Sequence, residues 1–176
     1  MNCFGRKGLL VVGRTLAACG CLLLQAALPP YFHPALRAFG EKDGLPHATV
    51  QAIAQDPQGR LWVGTQDGAA VFNGQQWRTL NLPKEARSNY VRALAFDGHG
   101  GLWVGTQDDG LWRLEKGIWK RLELPTQPTN PRINGLTRTV DGEGRETLWI
   151  ATGGAGLVRW RQKEWISQIR SSFMIL

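Results

Sequence analysis

The sequence predicts an all-β protein made of repeated four-stranded antiparallel sheets, and three observations lead to this class. The segment Leu61 to Thr65 (LWVGT) returns unchanged at Leu102 to Thr106 and, altered, at Leu148 to Thr152. A spacing of roughly 40 residues is typical of propeller and solenoid arrays. Apolar runs on both sides of each copy are in register, and turn residues separate them. Each unit therefore holds four short strands.

The strands of each unit are predicted to follow one another from the innermost to the outermost. Consecutive apolar residues such as Leu61, Trp62 and Val63 indicate sheets that are buried on both faces, as in blades stacked around an axis. We therefore expect the arrangement of a β-propeller. The first strands are expected at Val50–Gln55, Val91–Phe96 and Ile133–Val140, the second at Leu61–Thr65, Leu102–Thr106 and Leu148–Thr152, the third at Ala69–Phe72, Leu111–Leu114 and Leu157–Trp160, and the outer ones at Gln76–Leu80, Trp119–Leu122 and Trp165–Ile169.

An Asp-x-x-Gly turn is predicted between the first and second strands of every unit. The aspartates are Asp56, Asp97 and Asp141, and their carboxylates are expected to accept the backbone N–H two residues on. Gly59 and Gly100 close these turns, where a positive φ is easy only for glycine. The third hairpin is longer by two residues before its tryptophan, and we expect this insertion at a loop tip.

A small residue lies two positions after each repeated tryptophan, inside the predicted second strand. The tryptophans are Trp62, Trp103 and Trp149, and the small residues are Gly64, Gly105 and Ala151. Glycine within a strand usually means that another backbone or a bulky ring lies close. We expect these six residues to be structural parts of the repeat.

The chain is predicted to consist of a leader followed by three blades. Residues 1–27 are interpreted as a signal peptide and 28–44 as a lead-in, whose Ala35 to Phe39 piece could supply a closing strand. Residues 45–82, 83–124 and 125–170 are interpreted as blades 1, 2 and 3, and residues 171–176 as a truncated tail.

The leader has the features of a secretory signal peptide, which predicts a helix and export from the cytoplasm. Arg6, Lys7 and Arg14 form a basic start, and a mostly Leu, Ala and Cys run follows from Thr15 to Leu28. Two alternatives stay open. Leu16 to Cys19 looks like a lipoprotein box, and the apolar stretch is just long enough for an uncleaved membrane anchor.

Composition limits the classes of function. The 176 residues are 43% hydrophobic and 20% charged, as in ordinary globular proteins. The formal net charge of +7 is partly in the leader, and the remaining basic residues are scattered among acids without a nucleic-acid motif, so no nucleic-acid partner is expected. Cys3, Cys19 and Cys21 all precede the repeats, which can hold neither a disulfide framework nor a cysteine zinc site.

Taken together, the repeats resemble those of the two-component regulator propeller family. The shared pattern is Val-x-x-Ile-x-x-Asp-x-x-Gly-x-Leu-Trp-Val-Gly-Thr-x-x-Gly, and Asp43 to Pro46 is similar to the opening of that family's repeat. WD-repeat blades are the nearest alternative, but they carry Trp-Asp at the end of the third strand and Gly-His at the start of the blade. Neither signature is present here.

The resemblance implies the periplasmic sensor region of a hybrid two-component or histidine-kinase protein. It implies a larger ring, which we expect to have seven blades, with a transmembrane helix and an output module downstream. We therefore interpret the chain as the amino-terminal piece of a ligand-sensing input module without a catalytic role or a cofactor. The alternatives are a secreted propeller scaffold that binds protein or glycan and, less favoured, a propeller lyase or hydrolase.

A binding surface is predicted from propeller geometry. Loops that join the second strand to the third, and the outer strand to the next blade, share one face of a propeller, and binding residues are common on such loops. The repeat-equivalent pairs Gln66-Asp67 and Gln107-Asp108 stand out. The candidates for an unknown small molecule or glycan are His47, Gln66, Asp67, Asn89, Tyr90, Gln107, Asp108, Asp109, Asn130 and Arg132, and solvated turns are the alternative interpretation.

The other side chains that could bind a sugar, bind a metal or act in catalysis are interpreted as structural. Seven of the eight tryptophans recur at repeat-equivalent places, with Trp112 and Trp160 taken to share one, so packing is favoured over a sugar-stacking surface. The turn aspartates lack the spacing of a calcium loop. His33, His47 and His99 are too dispersed for a zinc site or a catalytic triad. No metal site is therefore predicted.

Three blades cannot close a ring, so we expect the first and last blades each to leave one face available for association. The outer faces of the first and last blades are expected to be apolar and uncovered, and such faces are sites of association. We expect them to need the remaining blades of a full-length protein or a second copy of the chain.

Overall fold

The computed structural model describes residues 36–125, 130–161 and 164–166. The chain divides into two compact units, Met1–Leu36 and Arg37–Leu176, and the fold given below is that of the second. The predicted leader, the start of the lead-in and the tail lie outside the described residues. Within the described ranges, no helix is long and apolar enough to cross a membrane.

Twelve strands form three four-stranded antiparallel sheets in the described chain. Blade 1 is β1 (Val50–Gln55), β2 (Leu61–Thr65), β3 (Gly68–Phe72) and β4 (Trp77–Leu80); blade 2 is β5 (Val91–Phe96), β6 (Leu102–Thr106), β7 (Leu111–Glu115) and β8 (Ile118–Leu122); blade 3 is β9 (Ile133–Val140), β10 (Glu146–Thr152), β11 (Leu157–Arg161) and β12 (Glu164–Ile166). Strands adjacent in sequence are adjacent in each sheet, so the predicted all-β class and strand order are confirmed.

The extra residues of the third hairpin lengthen its strands, and the prediction of an insertion at the loop tip is wrong. The turn from Asp141 to Gly144 closes as in the other blades. Beyond it, Glu146 pairs with Val140 and Thr147 with Thr139. Two added residues on one strand find backbone partners on the other, and pairing satisfies their N–H and C=O groups better than a bulged loop would.

Small residues let consecutive blades approach closely. A Cβ atom on Gly64 would lie 2.5 Å from Val91 Cγ1, and one on Gly105 would lie 2.5 Å from Ile133 Cγ2. The neighbour is thus a β-branched side chain on the first strand of the next blade, instead of the backbone or ring expected from the sequence. We call the side of a blade that meets the next blade its front face, and the opposite side its back face.

The tryptophans pack within and between blades. Trp103 on the front face of blade 2 lies 4.8 Å, centroid to centroid, from Trp160 on the back face of blade 3. Trp112 and Trp160 do not occupy equivalent places, which corrects the sequence interpretation. Trp112 lies opposite Val104, whereas Trp160 lies opposite Leu148, whose counterpart in blade 2 is Leu102.

The part of the lead-in that follows Leu36 packs on the back face of blade 1, and Leu36 to Gly40 do not form a strand. A single 3-10 turn at Glu41–Asp43 directs the chain towards blade 1. Leu45 is buried with Trp77, and the Phe39 ring lies 5.5 Å from that of Phe72 and 5.9 Å from that of Trp77. These residues cover the outer part of that face, as a preceding blade would.

The Asp-x-x-Gly turns share one hydrogen-bond pattern. Gly59 N donates to Asp56 O at 2.9 Å and has a φ of +81°, and Gly100 and Gly144 behave likewise. The carboxylate of Asp56 accepts the N–H of Gln58, two residues on. Asp97 and Asp141 make the same contact. The side-chain partners differ between blades and are described below.

Candidate functional site

Backbone hydrogen bonds bring the predicted loops together on one side of the molecule, which we call the loop face. Gly68 N, at the start of β3, donates to Asn89 O in the segment between blades, at 2.8 Å. Gln107 N in the β6–β7 loop donates to Tyr90 O at 2.9 Å. The segment that enters blade 2 is therefore fixed to the loops of both blade 1 and blade 2.

Four of the predicted site residues form one side-chain cluster across blades 1 and 2. Gln66 Nε2 lies 3.4 Å from the Tyr90 hydroxyl, to which it donates. Asn89 Nδ2 donates to Asp67 Oδ1 at 3.3 Å. Both bonds are long and lie at the surface, so water or a polar ligand competes with them at small energetic cost. We call Gln66, Asp67, Asn89 and Tyr90 the loop-face cluster.

Arg92 joins this surface although the sequence did not single it out. Its Nη1 donates to Gln107 Oε1 at 3.0 Å, while its Nε is buried without a hydrogen-bond partner among the described residues. Arg92 lies at the irregularity in β5, between Val91 and Ala93, where the pairing with β6 changes register. A bulge redirects a side chain. The sequence does not show this bulge, so the direction of the Arg92 side chain could not be predicted from it.

Asp109 belongs to the interior and is not available to a ligand. It is almost wholly buried, and its Oδ2 accepts hydrogen bonds from Trp112 Nε1 at 3.1 Å and from the Arg87 backbone at 3.2 Å. Arg121 Nη2 lies 3.0 Å from Oδ1 as an ion pair, although that contact lacks hydrogen-bond alignment. Asp109 thus ties the loop, the entry segment and β8 together.

The other predicted residues lie apart from the loop-face cluster. Asp108 is exposed beside the buried Asp109. Asn130 Oδ1 accepts the backbone N–H of Arg132 at 3.0 Å, and Arg132 O accepts from Gly153 N at 2.7 Å in the loop of blade 3. His47 Nδ1 accepts from Thr49 N at 2.9 Å before blade 1. Each of these contacts is local to one blade entry.

On the side of the molecule that carries the Asp-x-x-Gly turns, hydrogen bonds and ion pairs keep the turn aspartates ionised. Burial by itself would raise the pKa of Asp56, but hydrogen bonds from the Trp62 indole and from Arg60 outweigh it and hold the pKa below its usual value. The Arg145 side chain, with the backbone N–H groups of Arg145 and Glu143, lowers the pKa of the partly exposed Asp141 to about 2. Both aspartates are carboxylates at neutral pH.

A rim groove of about 630 Å³ lies between the outer strands of blades 2 and 3. Its walls include Lys120, Trp160 and Trp165. Two of its arginines are already held by carboxylates: Arg113 by Asp97 at 2.7 Å and Arg121 by Asp109 at 3.0 Å. The part of the chain that the structure describes contains no group of three His, Cys, Asp or Glu side chains able to hold a metal ion.

Comparison with known proteins identifies the repeat. Residues 44–67 and 86–108 match the family model described as two component regulator propeller. No curated protein matches the chain. The matched segments run through the first two strands of blades 1 and 2, including both loop-face pairs Gln66-Asp67 and Gln107-Asp108. The family resemblance drawn from the sequence is confirmed.

Solved structures share the fold. The extracellular domain of a hybrid two component system from B. thetaiotaomicron is 22% identical with a TM-score of 0.60, over 77% of this chain and 20% of that chain. The extracellular domain of a one component system from the same organism is 18% identical with a TM-score of 0.55, over 70% and 18% of the two chains.

A third structure, catalytically inactive virginiamycin B lyase from Staphylococcus aureus, is 19% identical with a TM-score of 0.48, over 63% of this chain and 37% of that chain. The present chain spans about a fifth of the length of each of the first two structures. At these identities the likeness concerns the fold, and the first two structures confirm the predicted propeller architecture.

Proposed function

From the two-component regulator propeller repeats that this chain contains, we propose that it is a ligand-sensing input module that acts outside the cytoplasm. The observation that carries this proposal is the loop-face cluster, in which polar side chains of two successive blades meet on a rigid scaffold. A ligand seated there contacts both blades at once. Its binding free energy can therefore alter how the blades are held together.

The chemistry of the cluster favours a small polar ligand. Tyr90 offers a hydroxyl, Gln66 and Asn89 offer amides that both donate and accept, and Asp67 offers a carboxylate. The existing hydrogen bonds are long, at 3.4 Å and 3.3 Å, so these groups can still form shorter hydrogen bonds to a ligand. A polyhydroxylated or zwitterionic small molecule could replace both bonds with shorter ones.

The extracytoplasmic location rests on two supports. The leader has the order of a basic start and an apolar run that is typical of exported proteins. The two structurally similar domains named above are described as extracellular. Both supports agree with a protein that samples its surroundings, and transmission of the signal would require an output module.

Thermal unfolding with a defined panel of monosaccharides, disaccharides and amino acids tests the proposal. A compound that binds only the folded chain at about 100 times its Kd stabilises it by about 2.7 kcal/mol, which raises the Tm by several degrees. We expect at least one panel compound to produce this rise. We also expect Tyr90→Phe and Gln66→Ala each to reduce it by more than half.

Gln75→Ala is the matched control, because Gln75 is an exposed glutamine in the β3–β4 turn, away from the loop face. This variant should keep the full ligand-induced rise. The proposal fails if no compound of the panel raises the Tm, or if Gln75→Ala and Gln66→Ala reduce the rise equally.

A further inference from the structure

Blades 2 and 3 diverge from their inner strands to their outer strands, and this divergence opens the rim groove. At the inner strands the two blades are in close contact, because a Cβ on Gly105 would lie 2.5 Å from Ile133 Cγ2. At the outer strands the gap holds about 630 Å³. Small-molecule pockets in proteins typically measure about 300–1,000 Å³. The rim groove is therefore large enough for a small ligand, although the inner part of the same interface is closely packed.

Two tryptophans line the groove on the side of blade 3. Trp160 and Trp165 pair across β11 and β12, and their ring centroids are 6.4 Å apart. Both are half-buried. They therefore present flat apolar surface to an open space, in addition to the contact that Trp160 makes with Trp103.

Packing between blades does not require an aromatic residue at position 160. The counterpart of Trp160 in blade 2 is Leu114, since Trp160 pairs with Leu148 and Leu114 pairs with Leu102. Leu114 packs against the apolar core formed by blades 1 and 2. An aliphatic side chain is thus sufficient at this place in the repeat, and the indole of Trp160 adds aromatic surface that the groove exposes.

The opposite side of the groove is polar. Lys120 pairs with Arg113 across β7 and β8, so both side chains are on the front face of blade 2. Arg113 is held by Asp97 at 2.7 Å and by Glu115 at 3.1 Å, and its guanidinium lies 5.7 Å from the centroid of Trp160. The guanidinium is therefore fixed against the indole, and its charge is already compensated.

Two exposed lining residues, Lys120 and Glu123, are left for a ligand. The ion pairs among the described residues engage Arg113, Glu115 and Arg121 of this groove but neither Lys120 nor Glu123. One ammonium group and one carboxylate remain, and their charges are opposite. A ligand hydroxyl can accept a hydrogen bond from the first and donate one to the second. A neutral ligand with several hydroxyls suits this pair better than a charged one.

We propose that the rim groove binds a neutral sugar, as a single hexose or as part of a short chain of hexoses. A pyranose ring has an apolar C–H face and hydroxyls at its edge, which matches a groove with one aromatic and one polar side. The C–H face lies on the indoles of Trp160 and Trp165, and the hydroxyls bond to Lys120 and Glu123. The groove is separate from the loop-face cluster, so the inference does not depend on the function proposed above.

Isothermal titration of the full chain with uncharged sugars tests the proposal. The sugars are the methyl glycosides of glucose, galactose and mannose, together with maltose, cellobiose and lactose. We expect at least one of them to bind the parent. Trp165→Ala should weaken that binding about tenfold or more, as truncation of an aromatic anchor does, whereas Trp165→Phe, which keeps an aromatic face, should retain most of it.

Trp119→Ala is the matched control. Trp119 is the counterpart of Trp165 on the outer strand of blade 2, because it pairs with Leu114 as Trp165 pairs with Trp160. It is also half-buried, and it does not line the groove. This variant should bind the sugar as tightly as the parent does, and far-UV circular dichroism shows whether each variant is folded.

Lys120→Ala tests the polar side without removing an aromatic residue, and it decides the question if Trp165→Ala does not fold. We expect it to weaken binding about threefold or more. Lys84→Ala, which removes an exposed lysine outside the groove, should leave the affinity unchanged. Methyl glucuronide, which has the ring of glucose and a carboxylate, should bind more weakly than the best uncharged sugar.

Four results would overturn the proposal. The first is that no uncharged sugar binds the parent, and the second is that methyl glucuronide binds most tightly. The third is an equal loss of affinity in a variant and its control, Trp165→Ala with Trp119→Ala or Lys120→Ala with Lys84→Ala. The fourth is a loss of binding in Tyr90→Phe but not in Trp165→Ala, which would place the sugar at the loop face and support the function proposed above.

Discussion

Blades 2 and 3 carry the same motif in different surroundings. Blade 2 is covered on both faces, and its Trp103 is 1% exposed. Within the part of the chain that the structure describes, blade 3 is covered only on its back face, and the equivalent Trp149 is half-buried. Arg113 lies over Trp103 at 4.9 Å, and Arg159 lies over Trp149 at 5.7 Å. The pair of side chains is the same, but only in blade 2 does a following blade seal it.

The comparison shows that the repeat motif determines the local backbone geometry. The contribution of its residues to the stability of the fold depends on whether a neighbouring blade covers them. The Asp-x-x-Gly turn closes in both blades with the same backbone bonds. The carboxylate of Asp97 reaches Arg113 on a neighbouring strand, whereas that of Asp141 is held by Arg145 in its own turn. Identical motif residues should therefore tolerate substitution very differently in the two blades.

The largest difference is expected between Trp103→Ala and Trp149→Ala. Emptying the buried site of Trp103 should lower the free energy of unfolding by about 3–5 kcal/mol. Loss of the half-buried Trp149 should cost about 1–2 kcal/mol, because less apolar area leaves water there. Urea unfolding followed by far-UV circular dichroism measures both. Equal costs would remove the distinction between the two blades.

A smaller effect is expected from Asp109→Ala, which gives blade 2 the residue that blade 3 has at this place, Ala155. The β6–β7 loop should keep its shape, since the Thr106 hydroxyl accepts the N–H of residue 109 just as Thr152 accepts that of Ala155. The Trp112 indole loses its buried acceptor, at a cost of about 1–3 kcal/mol.

Urea unfolding of Asp109→Ala, with Asp108→Ala as control, measures this cost. The exposed neighbour Asp108 should cost less than about 0.5 kcal/mol. If the two variants lose the same stability, Asp109 has no special role in joining the loop to the entry segment.

The smallest effect concerns the pH dependence that Asp141 gives to blade 3. Its pKa is lowered from 3.8 to about 2 in the folded chain, so the carboxylate stabilises the fold above the unfolded pKa. That contribution is lost as the pH falls from about 4 to about 2. The difference in free energy of unfolding between the parent and Asp141→Asn should be fully present at pH 5 and mostly lost at pH 2, where the folded-state carboxyl is half protonated.

The Arg145→Gln variant is the control for this titration, because the Arg145 side chain is the main cause of the lowered pKa. In that variant, the carboxyl titration of Asp141, followed by nuclear magnetic resonance, should move upward towards the ordinary value. An unchanged titration would show that the backbone N–H groups alone hold the charge.

Much of the fold could be predicted because the three copies of the repeat can be aligned with one another. Three copies of the tryptophan motif placed the first strands at their observed bounds and most other strands within about two residues. The resemblance to the two-component regulator propeller family also rests on those residues. The prediction failed where one copy departs from the others, as in the third hairpin, whose added residues pair with each other along β9 and β10.

The candidate site was predictable only in part. Propeller geometry placed Gln66, Asp67, Asn89 and Tyr90 on one face, and the structure joins them. The same reasoning included Asp109, which the structure buries under Arg121 and Trp112. It left out Arg92, whose direction depends on a bulge in β5. The sequence cannot separate exposed loop residues from buried ones of similar polarity when their burial depends on a neighbouring segment.

The sequence by itself determined the local structure of this protein: the strands, the Asp-x-x-Gly turns and the order of the blades. It could do so because turn residues and apolar runs act over a few neighbouring positions. Only the tertiary structure decided which tryptophans are buried between blades, that the lead-in covers part of blade 1, and that Gly64 and Gly105 lie against a β-branched side chain of the next blade. These depend on contacts between residues about 30 positions or more apart, whose distances follow from how whole blades pack.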